Sequence, residues 1–188
     1  MSCVNIFLHR SRGASGFVLV ASLLMLLLVS ILTVSMGKNT GLQELITGNH
    51  REKTRALQSA EAALNYAELW LNQASNNSPP PHSICSSFII DKPVAPKVCD
   101  NPLLTPTILP WTSTGVVGGP QVGVTYSPPN MPDPEITGGV GTYYAYPVFY
   151  IQFIGISSTT AGNMYKITAY GYGGDKTSIA MVQSIFSF

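Results

Sequence analysis

The chain has 188 residues, of which 45% are hydrophobic and only 10% are charged, and its formal net charge is +1. This length allows one membrane anchor and one modest domain. Arg10 and Arg12 account for two of the ten Lys and Arg residues, which leaves eight against nine Asp and Glu residues in the rest of the chain. Such a balance gives no general attraction to nucleic acid, so nucleic-acid binding is not expected.

The first predicted element is a membrane-spanning segment. Residues 16–36, GFVLVASLLMLLLVSILTVSM, contain no charged side chain. About 20 apolar residues at ~1.5 Å each span the ~30 Å hydrocarbon core of a bilayer. Arg10 and Arg12 precede the run without any acidic residue, and basic residues on this flank should keep the leader in the cytoplasm. The rest of the chain is therefore expected outside the cytoplasm.

The start of the apolar run is a Gly-Phe pair that follows basic residues. This junction resembles the signal of type IV prepilins, in which a dedicated prepilin peptidase cleaves after the Gly and methylates the new N-terminus. The resemblance implies cleavage after Gly16 and N-methylation of Phe17. Cleavage after Gly13 is an alternative, although it would leave polar Ser15 inside the mature apolar segment. Prepilins usually carry Glu at the fifth mature position, where this chain has Ala21.

The N-terminus has two other interpretations. The apolar core is too long for a cleavable secretory signal, which has 7–15 apolar residues before its cleavage site. An uncleaved membrane anchor remains open on the sequence alone.

The cysteines fit an extracytoplasmic domain. Cys3 lies in the leader, which leaves Cys85 and Cys99 as an even pair in an oxidising compartment, where disulfides persist. A metal pair or a catalytic thiol would be the alternative, but no second Cys or His pair stands at ligand spacing. We therefore predict a disulfide between Cys85 and Cys99 and no metal site.

The apolar run continues into a predicted amphipathic helix. Its composition is rich in Ala, Leu, Glu and Gln, which are strong helix formers. The sequence predicts one helix from residue 17 to about residue 74, with residues 17–37 in the membrane or filament core and residues 38–74 amphipathic. Pro79 to Pro81 cannot continue it. Apolar residues recur at intervals of three, four and seven: Leu42, Leu45, Ile46, Ala56, Leu57, Ala60, Ala63, Leu64, Ala67 and Leu71.

Residues 75–188 are expected to form the globular domain. All fourteen prolines fall between residues 78 and 147, which predicts loops and turns with one short strand near residues 122–126. Three later segments are rich in β-branched and aromatic residues and predict an antiparallel meander: YYAYPVFYIQFIGI, MYKITAYGY and TSIAMVQSIFSF. The apolar side of this sheet is expected to pack on the helix and to bury Leu57, Ala60, Leu64 and Leu71.

Several motifs of the helix and the last strands resemble PilX-type minor pilins. They are Leu-Gln-Glu at residues 42–44, Gly-Asn-His-Arg at 48–51, Gln-Ser-Ala-Glu-Ala-Ala-Leu at 58–64, Ile-Thr-Ala at 167–169 and Val-Gln-Ser at 182–184. The resemblance implies an α+β, pilin-like fold: a long N-terminal helix with a membrane-embedded first half, and a C-terminal antiparallel sheet packed on its outer half.

The same resemblance implies a function. Minor pilins of this type help to initiate type IV pilus assembly and sit at or near the tip with other minor pilins and a tip adhesin, and the major pilin is a further partner. They thereby support adhesion, aggregation and twitching motility. Such a chain resides in the bacterial inner membrane before it enters the pilus on the cell surface.

Charged side chains on the predicted helix are candidates for contacts between subunits: Arg51, Lys53, Arg55, Glu61 and Glu68. The basic cluster could instead make local ion pairs with Glu44 and Glu52, each worth a few tenths of a kcal/mol, about 0.2–0.5. Both interpretations stay open at this point.

No enzyme site is predicted. The three histidines, His9, His50 and His82, form no ligand pair, and there is no nucleophile elbow or phosphate-binding loop. No cofactor is therefore expected.

Seven of the nine tyrosines lie between residues 143 and 172. Packing between strands is the simpler explanation of this cluster, and a receptor- or glycan-binding surface is the alternative. A tip pseudopilin of a type II secretion apparatus and an uncleaved envelope binding protein are the alternative functions.

Overall fold

The computed structural model of the chain describes residues 15–75, 79–87, 96–139, 141–157 and 162–187. The predicted leader, with Arg10, Arg12 and Cys3, lies outside these residues, as does the alternative cleavage site at Gly13. The chain divides into two compact units, Met1–Thr47 and Gly48–Phe188.

A single helix, α1, occupies Ser15–Ser75. The predicted long helix is therefore confirmed. Gly41 and Gly48 lie within it, and neither has a neighbouring atom where a side chain would be. These glycines lower the helix propensity by about 1 kcal/mol each relative to Ala. They are nonetheless helical.

Among the described residues of the second unit, six strands form one sheet. They are β1 (His82–Ser83), β2 (Val98–Cys99), β3 (Val124–Thr125), β4 (Val148–Ile156), β5 (Asn163–Tyr172) and β6 (Ile179–Ser187). The order is β1-β2-β4-β5-β6, and β3 pairs with β4. The three long strands, β4, β5 and β6, form the predicted antiparallel meander. The short strand expected near residues 122–126 corresponds to β3.

The sheet as a whole is mixed, whereas the sequence predicted only antiparallel strands. β1 pairs with β2 in parallel, and β2 pairs with β4 in parallel, with Val98 opposite Ile151. β1 and β2 have only two residues each, too few to show an alternating pattern, and their local sequence did not distinguish them from loop.

One face of the sheet packs on the second half of α1. The buried core between them contains Ala63, Ala67, Leu71, Val98, Val124, Phe149, Ile151, Tyr165, Ile167 and Ala169. The predicted burial of Ala60 and Leu71 is confirmed, and Leu64 packs against this core as a half-buried side chain. The predicted burial of Leu57 is wrong, because its side chain is 40% exposed and the helix instead turns Ala56 and Ala60 inward.

Small residues allow α1 and β5 to approach closely. A Cβ atom at Gly171 would lie 2.6 Å from the Ala60 nitrogen and 2.8 Å from the Ala56 oxygen. A Cβ atom at Gly173 would lie 2.6 Å from the Glu52 oxygen. The contact on the helix therefore moves from Ala60 and Ala56 at Gly171 to Glu52 at Gly173, so the helix and this end of β5 run in opposite directions.

The other face of the sheet is covered by the proline-rich loops. Trp111, Val122 and the disulfide cysteines pack there with Tyr150, Tyr170 and Tyr172. The indole Nε1 of Trp111 donates a hydrogen bond to the Pro106 carbonyl at 2.7 Å. Its ring meets the Tyr170 ring edge-on, with 4.6 Å between centroids. The proline-rich middle of the chain therefore forms a second core layer.

Candidate functional site: membrane segment and contact surfaces

The first half of α1 contains a segment that is long and apolar enough to cross a membrane. This segment is Gly16–Ser35, 20 residues, and none of it is buried within the structure. Its large apolar side chains are exposed, including Phe17 at 78%. An exposed apolar surface of this size needs an apolar environment, such as lipid or neighbouring helices.

Three hydroxyl side chains of this segment are satisfied within the helix. The hydroxyls of Ser22, Ser30 and Thr33 donate to the carbonyls of Leu19, Leu26 and Val29, at 2.7–2.8 Å. Hydroxyls that bond back to the preceding turn need no water partner, and an unsatisfied polar group in lipid would cost several kcal/mol. The segment is thus suited to an apolar environment despite its hydroxyls.

The predicted cleavage junction lies at the first residues of α1. Gly16 has no neighbouring atom within 4 Å of a possible Cβ, and Phe17 is exposed. Ala21 follows one turn later and is partly exposed. No carboxylate is therefore present at the fifth position after the junction.

In the second unit, Glu52 and Arg55 join three separate segments. The Arg55 Nη1 lies 3.1 Å from Glu52 Oε1, and both side chains are partly buried. Arg55 also donates to the Thr142 carbonyl and lies over the Tyr143 ring, 4.6 Å from its centroid. Glu52 accepts a hydrogen bond from the Gly174 N–H at 2.5 Å. This cluster, Glu52, Arg55, Thr142, Tyr143 and Gly174, fastens two loops to the helix.

The other predicted contact residues differ in their surroundings. The Lys53 Nζ donates to the Ile179 carbonyl at 3.1 Å, at the start of β6. Arg51 and Glu61 are exposed and Glu68 is half-buried. Among the residues that the structure describes, these three make no ion pair. Lys53 and Arg55 are therefore engaged within the domain, and Arg51, Glu61 and Glu68 remain available to a neighbouring chain.

The structure contains the predicted disulfide between Cys85 and Cys99, whose Cα atoms are 5.4 Å apart. Asn101 supports it, because its side-chain amide accepts from the Cys85 N–H at 2.7 Å and donates to the Cys85 carbonyl at 3.1 Å. The Tyr150 hydroxyl donates to the Asn101 carbonyl at 2.8 Å. The bridge therefore fixes the segment that carries β1 against β2 and the sheet.

Sequence reasoning missed Asn101, since its hydrogen bonds join it to Cys85 and Tyr150, which lie 16 and 49 positions away. It also missed the pairing of His82 with Asp100, whose Nδ1 and Oδ1 atoms are 2.5 Å apart. The His82 ring stacks on Phe153 with 4.4 Å between centroids. These contacts hold the short strand β1 against the rest of the sheet. No local sequence motif predicts them.

The tyrosines near the C-terminus contribute mainly to the core. Tyr150, Tyr165, Tyr170 and Tyr172 are buried. Burial raises the pKa of Tyr150 and Tyr170 well above the usual phenol value, so both hydroxyls stay protonated at physiological pH. Tyr146 is only half-buried, and its hydroxyl donates to Asp133 at 2.7 Å. Strand packing thus explains the buried members of this tyrosine-rich region.

A shallow groove of about 200 Å³ lies beside the helix. It is lined by Gln58, Ser59 and Ala62 of α1, by residues 128–132 and by Tyr143. No His, Cys, Asp or Glu lines it. Within the described part of the chain, no three His, Cys, Asp or Glu residues are grouped so that they could hold a metal ion.

Comparison with protein families gives two matches that adjoin each other. Residues 15–65 match the family model described as PilX N-terminal. Residues 66–187 match the model described as type IV pilus assembly protein PilX C-term. No curated protein and no solved structure matches the chain.

Proposed function

The chain belongs to the PilX family of type IV pilus minor pilins, and from this premise we propose that it helps to initiate pilus assembly and sits at or near the pilus tip. In this position it supports adhesion, aggregation and twitching motility. Its partners are other minor pilins, the major pilin and a tip adhesin. The family is structural, so no catalytic role is assigned.

The proposal includes a maturation step. The prepilin peptidase removes residues 1–16 in the bacterial inner membrane and methylates Phe17. Residues 17–37 then anchor the chain in the membrane and later in the filament core, residues 38–74 form the amphipathic half of the helix, and residues 75–188 form the exported domain. The exposed Gly16–Phe17 junction beside a membrane-length apolar segment supports this order.

The observation that carries the tip position is Ala21. In pilin-like filaments, the Glu at the fifth mature position of an incoming subunit pairs with the N-terminal amine of the subunit above it. Inserting a carboxylate in hydrocarbon costs about 2.5–3.5 kcal/mol on insertion scales, so its partner matters. A subunit with Ala21 lacks this contact and does not need it when no subunit lies above. The Phe17 amine can still receive the Glu of the subunit below.

Replacing Gly16 by Val is expected to abolish processing. A β-branched side chain at the cleaved bond blocks the peptidase, so the precursor stays in the membrane and enters no filament. The mass of the membrane-extracted protein measures this directly: the parent chain should begin at N-methylated Phe17, and the variant should begin at Met1. Gly13→Val serves as the matched control and should be processed normally.

An intact Met1 in the parent chain would contradict the pilin assignment of the junction and favour an uncleaved envelope anchor. Normal processing of Gly16→Val combined with failure of Gly13→Val would move the cleavage site to Gly13.

Immunogold labelling of sheared pili is expected to place the protein at one filament end, in a few copies at most. Ala21→Glu supplies the missing carboxylate and should spread the label along the shaft, whereas Ala21→Gln adds similar bulk without charge and should leave it at the end. Label scattered along the shaft in the parent strain would contradict the tip position and would mean that Ala21 merely weakens docking.

A further inference from the structure

The loop-covered face of the sheet contains a small polar pocket, here called the Lys166 pocket. Its volume is about 40 Å³. Side chains alternate between the two faces of a strand. On β5, Tyr165 and Ile167 belong to the core against α1, so Lys166 and Thr168 face the loops. Five side chains of the three long strands line the pocket together with residues of the loop at 102–106: Tyr150, Gln152, Lys166, Thr168 and Gln183.

The register of the sheet brings these side chains into two adjacent rows. Gln152 of β4 lies opposite Lys166 of β5. In the next row, Thr168 lies between Tyr150 of β4 and Gln183 of β6. Side chains that lie directly opposite each other in a sheet have Cβ atoms only about 4.5–5.5 Å apart, so they share one site. The floor of the pocket is therefore fixed by strand pairing.

Lys166 gives the pocket a positive charge that has no partner. Its side chain is half-buried. It makes no ion pair and no hydrogen bond with any residue that the structure describes. The carboxylate of Asp100, which follows β2, is paired with His82 instead. An ammonium group has three donors and no acceptor, and partial removal of its charge from water is costly without a partner. The pocket therefore favours an anionic group.

The neighbouring polar groups add hydrogen-bond donors. The Gln152 carboxamide is half-buried and has no hydrogen-bond partner within the described part of the chain. The Gln183 Nε2 donates to the Thr168 Oγ1 at 3.0 Å, which leaves the Thr168 hydroxyl hydrogen to donate elsewhere. No Asp or Glu is among the described residues that line the pocket. An anion here would meet donors and no opposing negative charge.

The size of the pocket selects among anions. A water molecule needs about 10–15 Å³ of such space, so the pocket has room for about three water-sized groups. This is the number of heavy atoms in a carboxylate group, whereas phosphate and sulfate are larger. The pocket also reaches the surface, because Gln183 at its side is exposed.

We propose that the Lys166 pocket binds a carboxylate group. One carboxylate oxygen accepts a charge-assisted hydrogen bond from the Lys166 ammonium, and the other accepts from the Gln152 carboxamide or the Thr168 hydroxyl. An Asp or Glu side chain of another polypeptide and a small free carboxylate offer this same chemistry. The pocket lies wholly within the second unit, so its ligand chemistry goes beyond the proposed function and does not depend on the pilin assignment.

Competitive acylation of the detergent-solubilised, full-length protein tests binding with acetate as the probe. The acetate titration is made up to constant ionic strength with chloride, and mass spectrometry follows the acylation rate of each lysine. Bound acetate holds Lys166 as a hydrogen-bonded ammonium. Its rate should fall along a saturating curve, about threefold when acetate reaches about twice its dissociation constant. Lys176, exposed in the turn between β5 and β6, is the internal control and should react at a constant rate.

Substitution of Gln152 separates binding in the pocket from a general effect on lysine. Gln152→Leu removes a donor but no internal hydrogen bond, so it should weaken the acetate effect at Lys166 while the urea midpoint stays unchanged. Gln152→Glu keeps the shape of the side chain and places a carboxylate beside Lys166, so it should abolish the acetate effect. The second variant decides the outcome if Gln152→Leu lowers the midpoint.

Carbodiimide treatment of intact cells identifies the source of the carboxylate. The reagent joins a lysine amine to a carboxylate in direct contact as an amide. An adduct of Lys166 with an Asp or Glu of another polypeptide identifies a protein side chain as the ligand. Lys166→Arg keeps the positive charge and should remove this adduct, whereas Lys176→Arg should leave it. Acetate protection without an adduct assigns the pocket to a small free carboxylate.

The proposal is wrong if acetate and chloride give Lys166 the same acylation rate and no Lys166 adduct forms in cells. It is also wrong if the acetate effect survives both Gln152 variants, or if carbodiimide joins Lys166 to a carboxylate within a single copy of the chain. A Lys166 that neither acylates nor crosslinks would show that its amine does not reach an open pocket, which equally overturns the proposal. The mass of the mature N-terminus is a separate readout, so failure of the pilin assignment is distinguishable from failure of the pocket.

Discussion

Replacing Gly171 by Ala is expected to lower the free energy of unfolding of the exported domain by about 3 kcal/mol, at the upper end of the usual cost of overpacking. The new Cβ atom would lie 2.6–2.8 Å from the Ala60 nitrogen, the Ala56 oxygen and the Ser59 Cβ. Two of these atoms belong to the helix backbone, which cannot rotate away as a flexible side chain could. The helix would have to move off β5, and the alanine contacts would loosen with it.

Urea unfolding of the detergent-solubilised protein, followed by tryptophan fluorescence, measures this effect, since Trp111 is only 1% exposed. Gly48→Ala is the matched control, because Gly48 lies on the same helix with nothing within 4 Å of a possible Cβ. There the substitution should raise stability by about 1 kcal/mol through helix propensity. Equal midpoints for Gly171→Ala and the parent protein would show that the close approach of helix and strand is not as described.

Removal of the disulfide is expected to cost about 3 kcal/mol, the chain-entropy value for a loop of about 15 residues. Cys85→Ser with Cys99→Ser removes the covalent link of the segment that carries β1 and leaves it held by the Asn101 hydrogen bonds, the His82 contacts and the pairing with β2. The double variant should show a lower urea midpoint and lower levels of exported protein. Non-reducing peptide mapping of the parent should recover both cysteines in one linked fragment.

Cys3→Ser is the control for this experiment, since Cys3 leaves with the proposed leader and should have no effect on the mature protein. Two free thiols in freshly extracted protein, or a midpoint unaffected by reduction, would contradict the structural role of the bridge.

The elements with a strong local pattern were predictable from the sequence. The uninterrupted apolar run and the recurring alanines and leucines predicted a helix from residue 17 to about 74, and α1 occupies Ser15–Ser75. Three β-branched and aromatic segments predicted the meander of β4, β5 and β6. In both cases the signal lies in the residues of the element itself, so it can be read from a local stretch of sequence.

The inward face of the helix was predicted less accurately. Leu57 fits the apolar spacing as well as Ala56 does, yet Leu57 is exposed and Ala56 is fully buried. Gly171, more than a hundred residues later, decides which of the two is buried. Because Gly171 has no side chain, the helix backbone can approach the strand there, and it does so with its small residues facing the strand. Such a long-range fit is invisible in a single helical segment.

The contact candidates show the same limit. The sequence left open whether Lys53 and Arg55 act within the domain or between subunits. Their partners, Ile179 and Thr142, lie 126 and 87 positions away and accept through main-chain carbonyls. Every residue has a main-chain carbonyl, so the residue type does not show which carbonyl accepts the bond. Only the fold identifies the acceptor. Arg51, Glu61 and Glu68 stay predictions as subunit contacts.

The close approach of α1 to the end of β5 also determines how the domain carries mechanical load. From Glu52 to Ala60 the helix extends about 12 Å, and its backbone lies against Gly171 and Gly173 over this length. A pull along the helix at Gly48 loads this contact in shear, so its contacts must break together rather than one after another. Resistance to such a pull depends on the height of the unfolding barrier, not on equilibrium stability. The tension passes from the helix into β5 and then to β6, the strand at the free edge.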